Sequence, residues 1–123
     1  YAGAQFNLGV RYATGQGVPQ NYAEAARWFR KAADQGDAVA QVGLGWMYGS
    51  GIGVPQDVAE AISLIRKAAG QRDAYAQYSL GGMYEGGLLG ITRDISQAVY
   101  WYRKAAKQDS TEAKKALQRL GYK

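Results

Sequence analysis

The sequence predicts an all-α solenoid of antiparallel helix pairs: three repeats and a C-terminal capping helix. Three observations carry this. One set of residues returns at a spacing of 36, apolar residues within each copy fall at helical steps, and glycine and proline punctuate the copies at matching places. Leu8, Gly9 and Tyr12 recur as Leu44, Gly45 and Tyr48, then as Leu80, Gly81 and Tyr84. Gly15, Gly17, Val18, Pro19 and Gln20 recur as Gly51, Gly53, Val54, Pro55 and Gln56. Ala25, Lys31, Ala32 and Ala33 return as Ala61, Lys67, Ala68 and Ala69, and again as Ala98, Lys104, Ala105 and Ala106. The last shift is 37, which places one added residue in the loop around Leu88 and Leu89.

The first helix of each pair, helix A, is expected over about 2–14, 38–49 and 74–86, with Ala4, Leu8 and Tyr12 on one face. Gly15 and Gly17 end it, supplying the positive φ that a helix exit often requires. Pro19 and Pro55 bar helix continuation through the loop. Helix B then spans about 22–35, 58–70 and 95–108, with Tyr22, Ala25, Phe29 and Ala32 as its inner stripe. Its start reads as a capping box: Asn21 with Glu24, Asp57 with Glu60, Asp94 with Gln97. Asp37 and Asp73 are placed to cap the next A helices, and Ser110 a final helix at about 111–121. That helix puts Ala113 and Leu117 inward and Lys114, Lys115, Gln118 and Arg119 outward, a polar side suited to closing a solenoid.

Small residues mark close helix approaches. Gly9, Gly45 and Gly81 on helix A, and Ala25, Ala61 and Ala98 on helix B, leave room that larger side chains would overpack. No polar cap precedes Tyr1, so the first helix A shows a raw side open to more repeats or to self-association. The chain opens on Tyr1 and not Met, as expected of a processed or trimmed product whose targeting segment has gone.

Composition excludes much chemistry. Cysteine and histidine are both absent, which removes disulfides, thiol nucleophiles, imidazole bases and the commonest transition-metal ligands. No G-x-x-x-x-G-K-[ST] loop is present, and Gly49, Gly51 and Gly53 read as a helix-to-helix turn and not a phosphate cradle. No serine–lysine pair has the S-x-x-K spacing. No apolar run approaches the roughly 20 residues of a membrane span. The net charge of +5 divides as +2 over 1–36, zero over 37–72 and 73–109, and +3 over 110–123. This reads as solvated helix faces with a basic C-terminal helix, and nucleic acid is not the expected partner. Arg27, Arg30, Arg66 and Arg103 on helix B read as a solubilising outer stripe. Glu85 stands apart, since a helix C-terminus disfavours negative charge; a basic partner group, or a bridge to Lys115 or Arg119, would account for it.

The run A-x-x-x-L-G-x-x-Y-x-x-G-x-G-V-P-Q, then A-x-x-W-x-x-K-A-A, resembles the Sel-one-like repeat family, relatives of the tetratricopeptide repeat. Ala4, Leu8, Gly9, Tyr12, Gly15, Gly17, Val18, Pro19, Gln20, Ala25, Trp28, Lys31, Ala32 and Ala33 carry the resemblance, which covers essentially the whole chain. Leu64 replaces the tryptophan in the second unit, Ile91 and Thr92 replace Val-Pro in the third, and Gln118 replaces the glycine in the closing helix. The resemblance implies a right-handed superhelix with the A helices along its concave wall. It also implies an adaptor role, often bacterial and periplasmic or secreted.

By register with the tetratricopeptide pattern, the inner-wall rows are Gly3, Val39, Tyr75 and Glu112; Phe6, Val42, Tyr78 and Lys115; Val10, Trp46, Gly82 and Arg119; and Ala13, Gly49, Glu85 and Tyr122. These positions vary between copies where the spine does not. Phe6, Val10, Val39, Val42, Trp46, Tyr75 and Tyr78 make the wall apolar and aromatic, the usual anchors of a protein interface. The expected function is a non-enzymatic scaffold that takes a peptide or protein segment in this groove, with no cofactor. Its apolar side chains would lie near Trp46, Tyr75 and Tyr78, and an acidic group near Lys115 and Arg119, with Glu85 close by. Two other classes stand beside it: a carbohydrate- or cell-wall-directed binder that stacks sugars on these aromatics, and a hydrolase like the cysteine-rich relatives that carry β-lactamase labels.

Overall fold

The computed structural model describes residues 1–122 as seven α-helices in sequence: α1 (Ala2–Thr14), α2 (Tyr22–Asp34), α3 (Ala38–Ser50), α4 (Val58–Gly70), α5 (Ala74–Gly86), α6 (Ile95–Ala106) and α7 (Thr111–Arg119). Each helix packs on the next along the chain, and α3 also touches α5. The chain is therefore an all-α array of three helix pairs with a single closing helix. Helices α2, α6 and α7 stop one or two residues short of the expected ends. In the first case the N–H groups of Gln35, Gly36 and Asp37 turn back onto Ala32 and Ala33 carbonyls and close the helix early.

The expected caps form, with one change. Asn21, Asp57 and Asp94 each accept a hydrogen bond from the backbone N–H three residues on, at 3.1 Å. Asp37, Asp73 and Ser110 do the same for α3, α5 and α7. The reciprocal half of the capping box is absent. The N–H groups of Asn21, Asp57 and Asp94 donate instead to the carbonyls of Tyr12, Tyr48 and Tyr84, each at 2.9 Å. The A–B loop folds back far enough for a helix-A carbonyl to take that bond, and Glu24 turns to Arg27 at 2.6 Å. Gln20 and Gln56 close the same loops by donating to the carbonyls of Ala13 and Gly49.

Within each pair the contact is as close as the small residues allow. A β-carbon at Gly9 would lie 2.7 Å from the Phe29 ring, one at Gly45 2.9 Å from Ile65, and one at Gly81 2.7 Å from Tyr102. Ala25, Ala61 and Ala98 opposite them are fully buried. Tyr22 departs from the expected inner stripe: Ala25, Phe29 and Ala32 are buried, but Tyr22 is 44% exposed at the helix start, with Gln20 donating to its hydroxyl.

Between pairs, glutamines form a ladder whose central members, Gln41 and Gln77, are buried. Gln41 donates to the Ala33 carbonyl and accepts from Gln71, while Gln77 donates to the Ala69 carbonyl and accepts from Gln108. Gln35 likewise donates to Gln5. Satisfied in this way, the buried amides join the pairs without an orphaned polar group. Arginines add a second tie. Arg30 donates to the Tyr48 hydroxyl at 3.0 Å, Arg66 donates to that of Tyr84 at 2.8 Å, and Arg103 lies over the Tyr122 ring. The outer arginines are thus more than a solubilising stripe, because three of the four reach the next unit.

The added residue of the third copy sits in a short 3-10 turn, Leu88–Gly90, where Leu89 takes φ 53° and ψ 37°. A left-handed leucine costs roughly 1–2 kcal/mol. Packing its side chain, partly buried, on the second core cluster offsets that cost. The first pair has no helix on its other side among the described residues: Leu8 is half-buried and Ala4 exposed, whereas Leu44, Leu80, Ala40 and Ala76 are at most 1% exposed.

Candidate functional site

The predicted wall residues separate into exposed, half-buried and core positions. Val39 and Tyr75 occupy the same place in the first turns of α3 and α5 and are 47% and 58% exposed. Phe6 and Val10 are half-buried against the first core cluster, with the Phe6 ring 5.5 Å from that of Phe29. Trp46 rests half-buried on the second cluster, and Tyr78 on the third, 5.7 Å from the Tyr102 ring. Val42 is a correction: at 2% exposure it belongs to the core and presents no surface to a partner. Its row was assigned from register, but there helices α4 and α5 close over that face of α3.

The C-terminal end of the wall also differs from expectation. Glu85 is held within the chain. Arg119 donates to both of its carboxylate oxygens, at 2.5 and 2.9 Å, and the Tyr102 hydroxyl donates to it at 2.6 Å. The Arg119 hydrogen bond draws the Glu85 carboxyl down to about 2, helped by Tyr102 and opposed by partial burial. Burial and the Glu85 charge together push the Tyr102 phenol up. Arg119 is therefore committed to Glu85, and Lys115, exposed one turn earlier, is left as the cation facing solvent there.

These residues fall into three equivalent sites between consecutive A helices. Each site takes a residue from the end of one A helix, one from helix B and one from the next A helix. The first has Ala13, Phe29 and Trp46; the second has Gly49, Ile65 and Gly82; the third has Glu85, Tyr102 and Arg119. The third is closed by the ionic cluster just described. At the second, the Leu89 side chain lies so close to Gly49 that a β-carbon there would meet it at 2.9 Å. The first is open: Ala13, Phe29, Trp46 and Met47 line an apolar cavity of about 200 Å³, with exposed Tyr22 and Ile52 beside it.

A larger cleft, about 460 Å³, lies on α2 between Arg27, Arg30, Tyr48 and Val54. Its arginines are already engaged by Glu24 and by Tyr48 with Asp34. Among the described residues no three carboxylates gather as a metal site would require, and no helix is long and apolar enough to cross a membrane. Sequence reasoning missed the glutamine ladder, the arginine–tyrosine ties and the Leu89 contact. The first two carried a signal, because Gln5, Gln41 and Gln77 recur at the repeat spacing, as do Arg30 and Arg66. The Leu89 contact was marked only by the extra residue.

Comparison with known proteins accords with this architecture. The family described as Sel1 repeat matches three times, over residues 2–37, 38–73 and 74–110. A Sel1 repeat protein from Oxalobacter formigenes has a crystal structure that superposes with a TM-score of 0.80 at 47% identity, covering 96% of this chain and 88% of that one. A protective antigen present in uropathogenic Escherichia coli strains, described as displaying an SLR fold, superposes with a TM-score of 0.83 at 45% identity. The match covers 92% of this chain but only 24% of the Escherichia coli protein. A search of curated proteins gave no match.

Proposed function

Because the chain belongs to the Sel1 repeat family and is built as its scaffold of stacked helix pairs, we propose that it is a non-enzymatic adaptor that takes a peptide or protein segment along its A helices. The observation that carries this reading is the pair Val39 and Tyr75. Two large apolar side chains stand exposed at one position of neighbouring, touching helices, where the repeat pattern demands neither. Exposed aromatic anchors of this kind suit protein interfaces. Trp46 and Tyr78 lie further along the same helices, half-exposed, and extend the surface. With Arg119 engaged by Glu85, an acidic group of the partner would meet Lys115.

The test is a displayed random-peptide library selected on the intact chain, with binding then measured to the double variant Val39→Ser, Tyr75→Ser. Both positions are exposed, so circular dichroism should be unchanged. The selected peptides are expected to bind the variant at least about tenfold more weakly. Equal binding to a folded variant would remove the groove. Sugar oligomers bound by the parent chain and lost from the same variant, with no peptide selected, would favour the carbohydrate reading instead.

A further inference from the structure

Three cations converge on a hollow that the proposed peptide surface does not use. It lies where the loop after α4 meets α5 and the C-terminal end of α6, measures about 380 Å³, and is lined by Arg72, Gln77, Lys104, Lys107 and Gln108. The amide donors there serve the ladder. Gln77 donates to the Ala69 carbonyl, and Gln108 donates to the Arg72 carbonyl at 2.7 Å and to Gln77 at 3.0 Å. The three cationic side chains are exposed, and among the described residues none is paired with a carboxylate. The acidic groups next to them in sequence are engaged elsewhere. Asp73 caps α5 through the Ala76 N–H at 2.8 Å, and Asp109 pairs with Lys114 at 3.0 Å. Lys104 lies over the Tyr100 and Trp101 rings, which restrains where its ammonium can go.

The repeat itself shows that this charge is an addition. The same five stations one unit earlier are Gly36, Gln41, Lys67, Gly70 and Gln71. The glutamines and one lysine are shared, and both glycines have become cations, Arg72 and Lys107. In the first unit the station of Lys107 is Asp34, so the charge belongs to the third copy and not to the pattern. Arg72 moreover sits at φ 68°, a left-handed backbone that Gly36 adopts at 89° with no β-carbon to strain. Like charges gathered around one hollow repel, and an anion placed among them relieves that repulsion. We propose that the hollow binds a multiply charged phosphoryl group, a phosphate monoester or diphosphate. A lone carboxylate would leave the cations in excess, whereas a phosphate monoester brings about 1.5 to 2 negative charges at pH 7 and three acceptor oxygens. The planar fork of Arg72 suits two of those oxygens, and Lys104 and Lys107 act as point charges beside it.

The probe is inorganic pyrophosphate, titrated into the intact chain at constant ionic strength and followed by NMR. Saturable shifts are expected at the backbone amides of Arg72, Gln77 and Gln108. The double variant Arg72→Gly, Lys107→Gly restores the residues of the preceding unit, and with its fold checked by circular dichroism it should bind at least about tenfold more weakly. If it fails to fold, Arg72→Gly alone, which also relieves the left-handed backbone, carries the test. Removing as much charge elsewhere, with Arg11→Gln and Lys31→Gln, should leave the affinity unchanged. Phosphatidylcholine vesicles carrying phosphatidic acid identify the source of the group. Sedimentation that depends on Arg72 and Lys107 puts it on a lipid headgroup; no sedimentation beside retained pyrophosphate shifts puts it on a soluble ligand. Absence of saturable shifts at Arg72 and Gln108 would overturn the proposal, as would an equal loss of affinity in both double variants. So would citrate bound as tightly as pyrophosphate, the mark of a surface that responds to charge and not to phosphate. None of Val39, Trp46, Tyr75 and Tyr78 lines this hollow, so its failure would leave the peptide surface standing.

Discussion

Glu85 shows how one side chain can be anomalous by its position and ordinary by its contacts. A carboxylate at the end of α5 opposes the helix dipole, and two donors outweigh that: the Arg119 guanidinium and the Tyr102 hydroxyl. Its ordinary value is 4.5 and its folded value about 2, so the unfolded chain takes up the proton first. The stabilisation is therefore complete above about pH 4.5 and is lost as pH falls toward 2. Glu85→Gln should accordingly narrow the drop in melting temperature between pH 5 and pH 2.5 relative to the parent; an equal drop in both would show that the cluster contributes nothing to acid stability. At this scale the sequence exposed the anomaly and named Arg119 as a candidate partner, because charge and position are both visible in it. It could not expose Val42 as core. A repeat pattern tells which face of α3 a residue lies on, but not how far α4 and α5 reach across that face.

At the scale of elements, helices A and B of each pair approach at a glycine, and this was the most legible feature of the chain. The spacing of Gly9, Gly45 and Gly81 opposite Ala25, Ala61 and Ala98 identifies the contact from the sequence. The physical consequence is selective within a single helix. A β-carbon at Gly81 would strike the Tyr102 ring at 2.7 Å and the Ala98 carbonyl at 3.2 Å, whereas one at Gly82 meets only the Tyr102 hydroxyl oxygen at 3.7 Å. Gly81→Ala should cost about 1–3 kcal/mol in urea unfolding. Gly82→Ala, relieved of glycine's poor helix propensity, should be neutral or gain up to about 1 kcal/mol. Similar effects for the two would mean that the helices can separate without loss. The capping residues were legible for the same local reason, but the destination of their own N–H groups was not. That depends on how the loop returns to Tyr12, Tyr48 and Tyr84, a tertiary matter.

For the whole molecule, stability is distributed along one dimension, each pair leaning on its neighbours. Among the described residues the inner pairs have a neighbour on both sides and α1 has one, and its Leu8 and Ala4 are correspondingly more exposed than Leu44 and Ala40. Amide hydrogen exchange should therefore release α1 before α3 and α5. Equal protection across the three would show the array to unfold as one block. The three-repeat architecture was legible from the 36-residue recurrence, since a repeating sequence forces a repeating environment. The site was legible only in part. The Glu85–Arg119 pair closes one inter-repeat hollow and Leu89 lies against Gly49 beside another, and both act across distances that local patterning does not encode.

The glutamine ladder has a consequence for how such a chain can change its length. Gln77 finds its acceptor on Ala69, and Gln108 finds one on Arg72 and another on Gln77. If residues 37–72 were excised, the carbonyls of Ala33 and Gly36 would fall at those same stations in the register, offering Gln77 and Gln108 the same kind of backbone acceptor. Gene-level duplication or loss of whole units would thus leave no seam, while an insertion of any other size inside a helix would break a rung. Growth in whole modules is the change of length that keeps these acceptors in place.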